Sequence, residues 1–329
     1  MPSASICRSR RTRAAVALAG VLASVLAPRP RAQETFRSAA DLVALQVSVA
    51  DPQQRLVANL SAQDFGIFDE GQLQPVALFA AGTAPLDLML LIDTSDSMYQ
   101  RMDATQQAAI NFVGALNADD RASVVLFSDR VRIAQALTGD GDALRGAIRG
   151  ARAAGGTALH DALYVSLREL ARTQRGADPG RRQAIVVLTD GDDTGSRLAF
   201  DDVLDEARRS AVTIFTIVPS TPPWEELLQM PVYRRPAAPF EMRQLAEETG
   251  GRAFAPTEIG ELSGVYGSIA EELSSQYWIA FAPPPSAGGF RQVAVRVLTQ
   301  PALRARTRAG YFARAPRGAA PVASHRSLP

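Results

Sequence analysis

The sequence predicts a doubly wound α/β domain, a mainly parallel sheet with helices on both faces, preceded by a small β-rich unit. Three observations predict it. Residues 86–92 and 184–188 are nearly continuous apolar runs, of the length and composition of strands buried on both faces. Between such runs the apolar residues move to helical spacing, as at Ala108, Phe112 and Ala115. Strand-like and helix-like segments then alternate from residue 85 to 219, and that order gives parallel strands joined by crossover helices.

The elements follow in chain order. Residues 36–84 read as β-rich: residues 42–49 partly alternate apolar and polar, Asp51-Pro52 turns the chain, and residues 55–57 resume it. Two further apolar stretches, 65–68 and 75–79, flank the turn Asp69-Glu70-Gly71. This region is short for an independent domain and is expected to lean on the next. In the α/β domain, set at 85–280, Asp87 alone interrupts the strand at 86–92. A helix at about 101–116, a strand at 122–127, helices at 140–151 and 157–172, the strand at 184–188, a helix at 200–210 and a strand at 212–218 follow. The Pro-rich residues 220–236, with Trp224, read as a loop or short surface helix. Helices near 240–249 and 258–275 come next, the first closed by Gly250-Gly251. Strands are expected at 277–281 and 292–298, with residues 281–314 set apart as C-terminal strands. Residues 315–329, rich in Pro, Ala and Ser, read as a disordered tail. No internal repeat is visible.

The first 32 residues read as a secretory signal. Arg8, Arg10, Arg11 and Arg13 precede an apolar run over 14–27, which is short for a membrane-spanning helix, and Ala32 before Gln33 offers a cleavage point. The arginines favour ordinary Sec export over the twin-arginine route, because Arg13 stands where that signal has an apolar residue. The expected location is secreted or periplasmic, with no transmembrane segment in the mature chain. Cys7, the only cysteine, precedes the apolar run, so neither lipidation nor disulfides are expected. The whole chain carries 35 basic and 34 acidic residues, and every basic residue is arginine. Removal of residues 1–32, with six arginines and no acid, leaves 29 basic against 34 acidic, a net charge of −5 that argues against nucleic acid as a partner.

The chemistry gathers at strand ends. One apolar strand runs into Asp93-Thr94-Ser95-Asp96-Ser97, a D-x-S-x-S pattern. A second runs into Leu188-Thr189-Asp190-Gly191, and Gly155-Gly156-Thr157 presents a hydroxyl at a helix start. In a parallel α/β sheet the carboxyl ends of the strands are where ligands bind. Carboxylates and hydroxyls together offer only oxygen, which suits a hard divalent cation such as Mg²⁺ or Mn²⁺ and suits zinc poorly.

This three-part set resembles the metal-ion-dependent adhesion site of von Willebrand factor A domains. The resemblance covers residues 85–219 and extends toward 280. It implies that Ser95, Ser97 and Thr157 supply hydroxyl ligands and that Asp93 and Asp190 supply charge, directly or through water. It also implies that the metal takes an Asp or Glu carboxylate from a protein partner, so the chain would be a binding module and not an enzyme. Asp96 departs from the pattern, where a small residue is frequent, and adds negative charge beside the site. The wider chain resembles a bacterial group described as VWFA-related domain proteins. That likeness rests on Leu60-Ser61-Ala62-Gln63-Asp64-Phe65, Asp69-Glu70-Gly71, Thr157 to Leu163, Leu188 to Asp193 and Gly250-Gly251-Arg252-Ala253-Phe254.

Two other functions compete with this one. A phosphatase-like hydrolase also begins with a strand ending in Asp, but it needs a second Asp two residues later, and Ser95 stands there. No Ser-His-Asp arrangement is recognisable. The other alternative is a structural component of an exported complex with a vestigial metal site. His160 reads as a residue of a helix's first turn, and two distant histidines argue against a zinc hydrolase. Asp192 and Asp193 read as a capping turn, Asp140 and Asp142 as a turn and helix cap, and Trp224 as either a partner contact or packing at the sheet edge.

Overall fold

Strand β5 (Leu86–Asp93) is buried along all eight residues, because apolar side chains leave it in both directions. Leu88, Leu90 and Ile92 point into one cluster with Phe112, Tyr266 and Ile269, while Met89 and Leu91 point into another with Leu163, Leu167 and Leu245. Each such side chain contributes about 1.5–3 kcal/mol on burial. A strand with this sequence therefore needs helices on both sides. The computed structural model describes residues 42–82, 84–176, 181–219, 224–232, 236–285 and 288–313. The expected signal at 1–32, the tail at 315–329 and the side chain of Trp224 lie outside the described residues.

The central sheet has six strands in the order β10 (Ala253–Phe254), β9 (Thr213–Ile217), β8 (Arg182–Leu188), β5, β6 (Arg121–Phe127) and β7 (Val131–Thr138). All neighbours run parallel except β6 and β7. The expected neighbours β5 and β8 pair directly, Leu90 with Val186. Helices α1 (Met102–Gly114), α2 (Gly141–Arg149) and α7 (Leu262–Ser275) contribute to the first cluster, and α3 (Leu159–Gly176), α4 (Phe200–Arg209) and α6 (Ala238–Thr249) to the second. The short helix α5 (Trp224–Gln229) stands in the Pro-rich segment. Asp87, the one polar interruption of β5, is buried against two arginines: Arg121 donates to it at 2.9 and 2.7 Å and Arg181 at 2.7 Å. The antiparallel edge strand β7 was not foreseen in the sequence.

A second core lies among strands from the two flanks of the α/β layer. Strand β1 (Val43–Ala50) pairs antiparallel with β11 (Tyr277–Phe281) and β13 (Arg304–Arg306), and β11 pairs with β4 (Leu78–Ala81). A second sheet runs β14 (Gly310–Ala313), β12 (Gly289–Val297), β2 (Phe65–Asp69), β3 (Gln72–Gln74). Leu45, Val47, Phe65, Ile67, Ile279, Phe281, Val293 and Val295 from both sheets share one apolar cluster. The regions 36–84 and 281–314, read separately in the sequence, thus interleave. Strand 277–281, counted there at the end of the α/β domain, pairs with β1 and β4. The physical reason is chain separation: Leu45 and Ile279 form one register pair, and no local pattern announces such a partner.

Candidate metal centre

Chain direction places the centre. From β5 the chain crosses to β6 on one side, while β8 and β9 lie on the other, so the strand order reverses at β5 and β8. The crevice beyond the carboxyl ends of two such strands is where an α/β sheet leaves room for a ligand. Asp93 closes β5 there, and Thr189-Asp190 follows β8.

Three loops are fastened to one another at this edge. Thr94 N donates to Phe127 O at 2.7 Å, Ala154 N to Thr94 O at 2.8 Å, and Asp96 N to Gly155 O at 2.9 Å. The loop bearing Thr157 is tied to the 190s loop through Thr157 N to Thr194 Oγ1 at 3.0 Å and Thr194 N to Thr157 O at 2.9 Å. Gly155 and Gly156 have a specific reason to be glycine. Gly155 has φ 85°, and a Cβ on it would lie 2.2 Å from the Asp129 carboxylate, which accepts Gly156 N at 2.7 Å.

Four of the five expected residues are linked by hydrogen bonds, and the fifth, Thr157, stands close to them. Asp93 is buried, accepting Ser95 N at 2.8 Å on one oxygen and Thr189 Oγ1 at 2.6 Å on the other. Ser95 Oγ lies 3.0 Å from Ser97 Oγ, and Ser97 Oγ donates to Asp190 Oδ1 at 2.6 Å. Thr157 is brought to the same place: a Cβ on Gly191 would stand 3.8 Å from both Ser97 Oγ and Thr157 Oγ1. The two hydroxyls therefore converge on one position beside Gly191. Burial pushes the Asp93 carboxyl above its ordinary value against the hydrogen bonds from Ser95 and Thr189, and the nearby Asp190 charge adds to the rise. A buried carboxylate held close to a second one is a place where a cation is stabilising.

The donors fit a hard divalent ion. They are all oxygen and come from three segments, with the Ser97 and Thr157 hydroxyls both beside Gly191. Among the described residues no group of three or more His, Cys, Asp or Glu side chains is arranged to hold a metal, so the hydroxyls of Ser95, Ser97 and Thr157 are needed to complete a ligand set.

Two residues at the centre were missed. Thr189, one place before Asp190, turns its hydroxyl to Asp93. Arg101 ends the 3-10 turn Asp96–Arg101 and donates from Nη1 to Asp190 Oδ2 at 2.6 Å. No local signal marks it, because its partner Asp190 lies 89 residues along the chain. Other polar residues behave as expected. Asp140 caps α2, accepting from Asp142 N and Ala143 N. Asp192 accepts Ala238 N at the start of α6, and Asp193 accepts Ser196 Oγ at 2.6 Å. His160 stands in the first turn of α3 with Nε2 3.0 Å from Glu241 Oε2.

Comparison with known proteins agrees with this architecture. Residues 87–267 match the von Willebrand factor type A domain. An uncharacterized protein of Synechocystis sp. is 34% identical over 111 residues, 33% of this chain and 26% of that protein. A UPF0353 protein of Mycolicibacterium paratuberculosis is 27% identical over 229 residues, 63% of this chain and 66% of its own length. The chain thus spans about a quarter of the first relative and just under two thirds of the second. Among solved structures, a von Willebrand factor type A protein from Catenulispora acidiphila shares the fold at a TM-score of 0.50 and 15% identity, covering 80% of this chain and 71% of that one. With more than half of its length matched, and with a parallel sheet covered by helices on both faces, the chain belongs to the von Willebrand factor type A domain family.

Proposed function

We propose that the chain is an exported protein-binding module that holds Mg²⁺ or Mn²⁺ through Asp93, Ser95, Ser97, Thr157 and Asp190 and takes an Asp or Glu carboxylate from its partner. One observation carries this reading: oxygens of Ser95, Ser97, Thr157 and Asp190, from three separated segments, converge beside Gly191. A bound divalent ion supplies a hard Lewis-acid position for a partner's carboxylate. The chain's own residues hold the loops in place and keep Asp93 from water. Domains of this family are generally interaction modules, not enzymes, and no catalytic role is proposed. Tyr99, 77% exposed on the turn between Ser97 and Arg101, gives a partner an aromatic contact beside the centre. Export rests on the arginines and apolar run of residues 8–27, and mass measurement of exported protein, expected to begin near Gln33, checks it. Among the described residues no helix is long and apolar enough to cross a membrane.

The test is calorimetric titration of Mg²⁺ and Mn²⁺ into the wild type, Asp93→Ala and Thr157→Ala. Asp93→Ala is expected to abolish binding and Thr157→Ala to weaken it about tenfold, roughly 1.4 kcal/mol, with the fold retained. Equal binding by Asp93→Ala and wild type would show that the ion sits elsewhere. A second reading, a structural component with a vestigial centre, is favoured by one observation: Arg101 already neutralises Asp190. Absence of binding by the wild type at millimolar Mg²⁺ and Mn²⁺ selects that reading.

A further inference from the structure

Arg101 has no place in the ligand set, yet it makes the closest cationic contact at the centre. Its Nη1 lies 2.6 Å from Asp190 Oδ2, and Ser97 Oγ donates to the other Asp190 oxygen at 2.6 Å. Both oxygens of a proposed ligand are therefore already engaged. The two partners are placed unequally: the Asp190 side chain is 2% exposed, whereas the Arg101 side chain is 36% exposed. Asp190 is fixed in the crevice, and Arg101 reaches in from the rim. A guanidinium cannot lose its charge at ordinary pH, so only displacement removes it from the carboxylate. While it stays, the carboxylates of Asp93 and Asp190 together with Arg101 sum to one negative charge instead of two. The attraction for an incoming divalent ion is weaker by that difference.

We infer that Arg101 is the resident counter-cation of the candidate metal centre, holding Asp190 in the metal-free protein and giving it up when a divalent ion binds. This rests on the proposed metal reading and adds an exchange step to it. Arg101 is a positioning residue: it sets the affinity of the centre through Asp190 and is not itself a ligand. A merely structural ion pair would leave metal affinity unchanged or would lower it when broken. A displaced counter-cation predicts the reverse.

The probe is Mn²⁺ alone, with two readouts on the full chain. In the first, calorimetric titration compares the wild type with Arg101→Gln, whose folding is checked by thermal melting in chelator. Arg101→Gln is expected to bind Mn²⁺ about tenfold more tightly, a shift of ~1.4 kcal/mol. The second needs no variant: phenylglyoxal labels accessible arginines, and peptide mass spectrometry reads the extent at Arg101. Mn²⁺ is expected to raise labelling of Arg101 severalfold while other arginines stay constant. If the wild type binds Mn²⁺ but Arg101 labelling does not rise, or folded Arg101→Gln binds no more tightly, the exchange is overturned and the metal reading survives. If neither folded protein binds Mn²⁺, the metal reading fails and the exchange fails with it.

Discussion

His160 shows how a single residue near the centre ties three elements together. It lies in the first turn of α3; its Nε2 meets Glu241 of α6 at 3.0 Å, its Nδ1 is 3.3 Å from Leu198 O, and its backbone N donates to Asp193. Burial alone would lower its pKa, but the Glu241 hydrogen bond and the charges of Asp193 and Glu241 outweigh it, and the net direction is upward from 6.5. A raised folded-state pKa means that the charged form adds stability. That stability is fully present below the unfolded value and is lost as pH rises through the folded one. The stability gap between wild type and His160→Gln, read from urea midpoints, is therefore expected to be larger at about pH 5.5 than at about pH 9. A gap that is equal, or larger at the alkaline value, would contradict the pairing. At this scale the sequence was informative where chemistry is contiguous. Asp93, Ser95 and Ser97 sit in five consecutive places, and Asp190 and Thr157 follow recognisable turns. Arg101 was not legible, because what separates it from any other helix-end arginine is Asp190, 89 residues along the chain.

At the scale of elements, β5 depends on both its apolar faces and its one buried charge. Asp87 is almost fully buried and is held by Arg121 and Arg181 at the start of the strand. Breaking a buried pair by removing one partner strands the opposite charge. Asp87→Ala is expected to cost ~3 kcal/mol, the lower end of the range for such losses, because Arg121 keeps about a third of its side chain in water. Urea denaturation measures this, and a loss below ~1 kcal/mol would place the pair with ordinary surface ion pairs. The α/β elements were legible because each carries its own period: continuous apolar runs for strands buried on both faces and 3.6-residue spacing for the helices. The edge strand β7 escaped because its burial is mixed and follows no clean alternation. The pairing of β1 with β11, and of β2 with β12, escaped because each joins segments more than 200 residues apart.

For the whole molecule, that long-range pairing has a consequence for integrity. Both β layers outside the central sheet contain strands from each side of the α/β segment, and the central sheet itself spans both sides of the exposed turn at Gly139-Asp140. A protease site placed at that turn is expected to give two bands under denaturing conditions and one undivided peak on size exclusion. Separate elution of the fragments would show that the shared cores are too weak to hold them. The same topology fixes how a load travels. The α/β segment leaves the β layers after β4 and returns at β11 through a single residue, Gln276, and Ala81 and Tyr277 at these two junctions are register partners. Tension from a partner attached at the metal edge would therefore divide between two adjacent strands pulled from the same end. Those strands are not peeled apart from each other. The five paired positions between β11 and β1 then tie that common exit to the rest of the β layer.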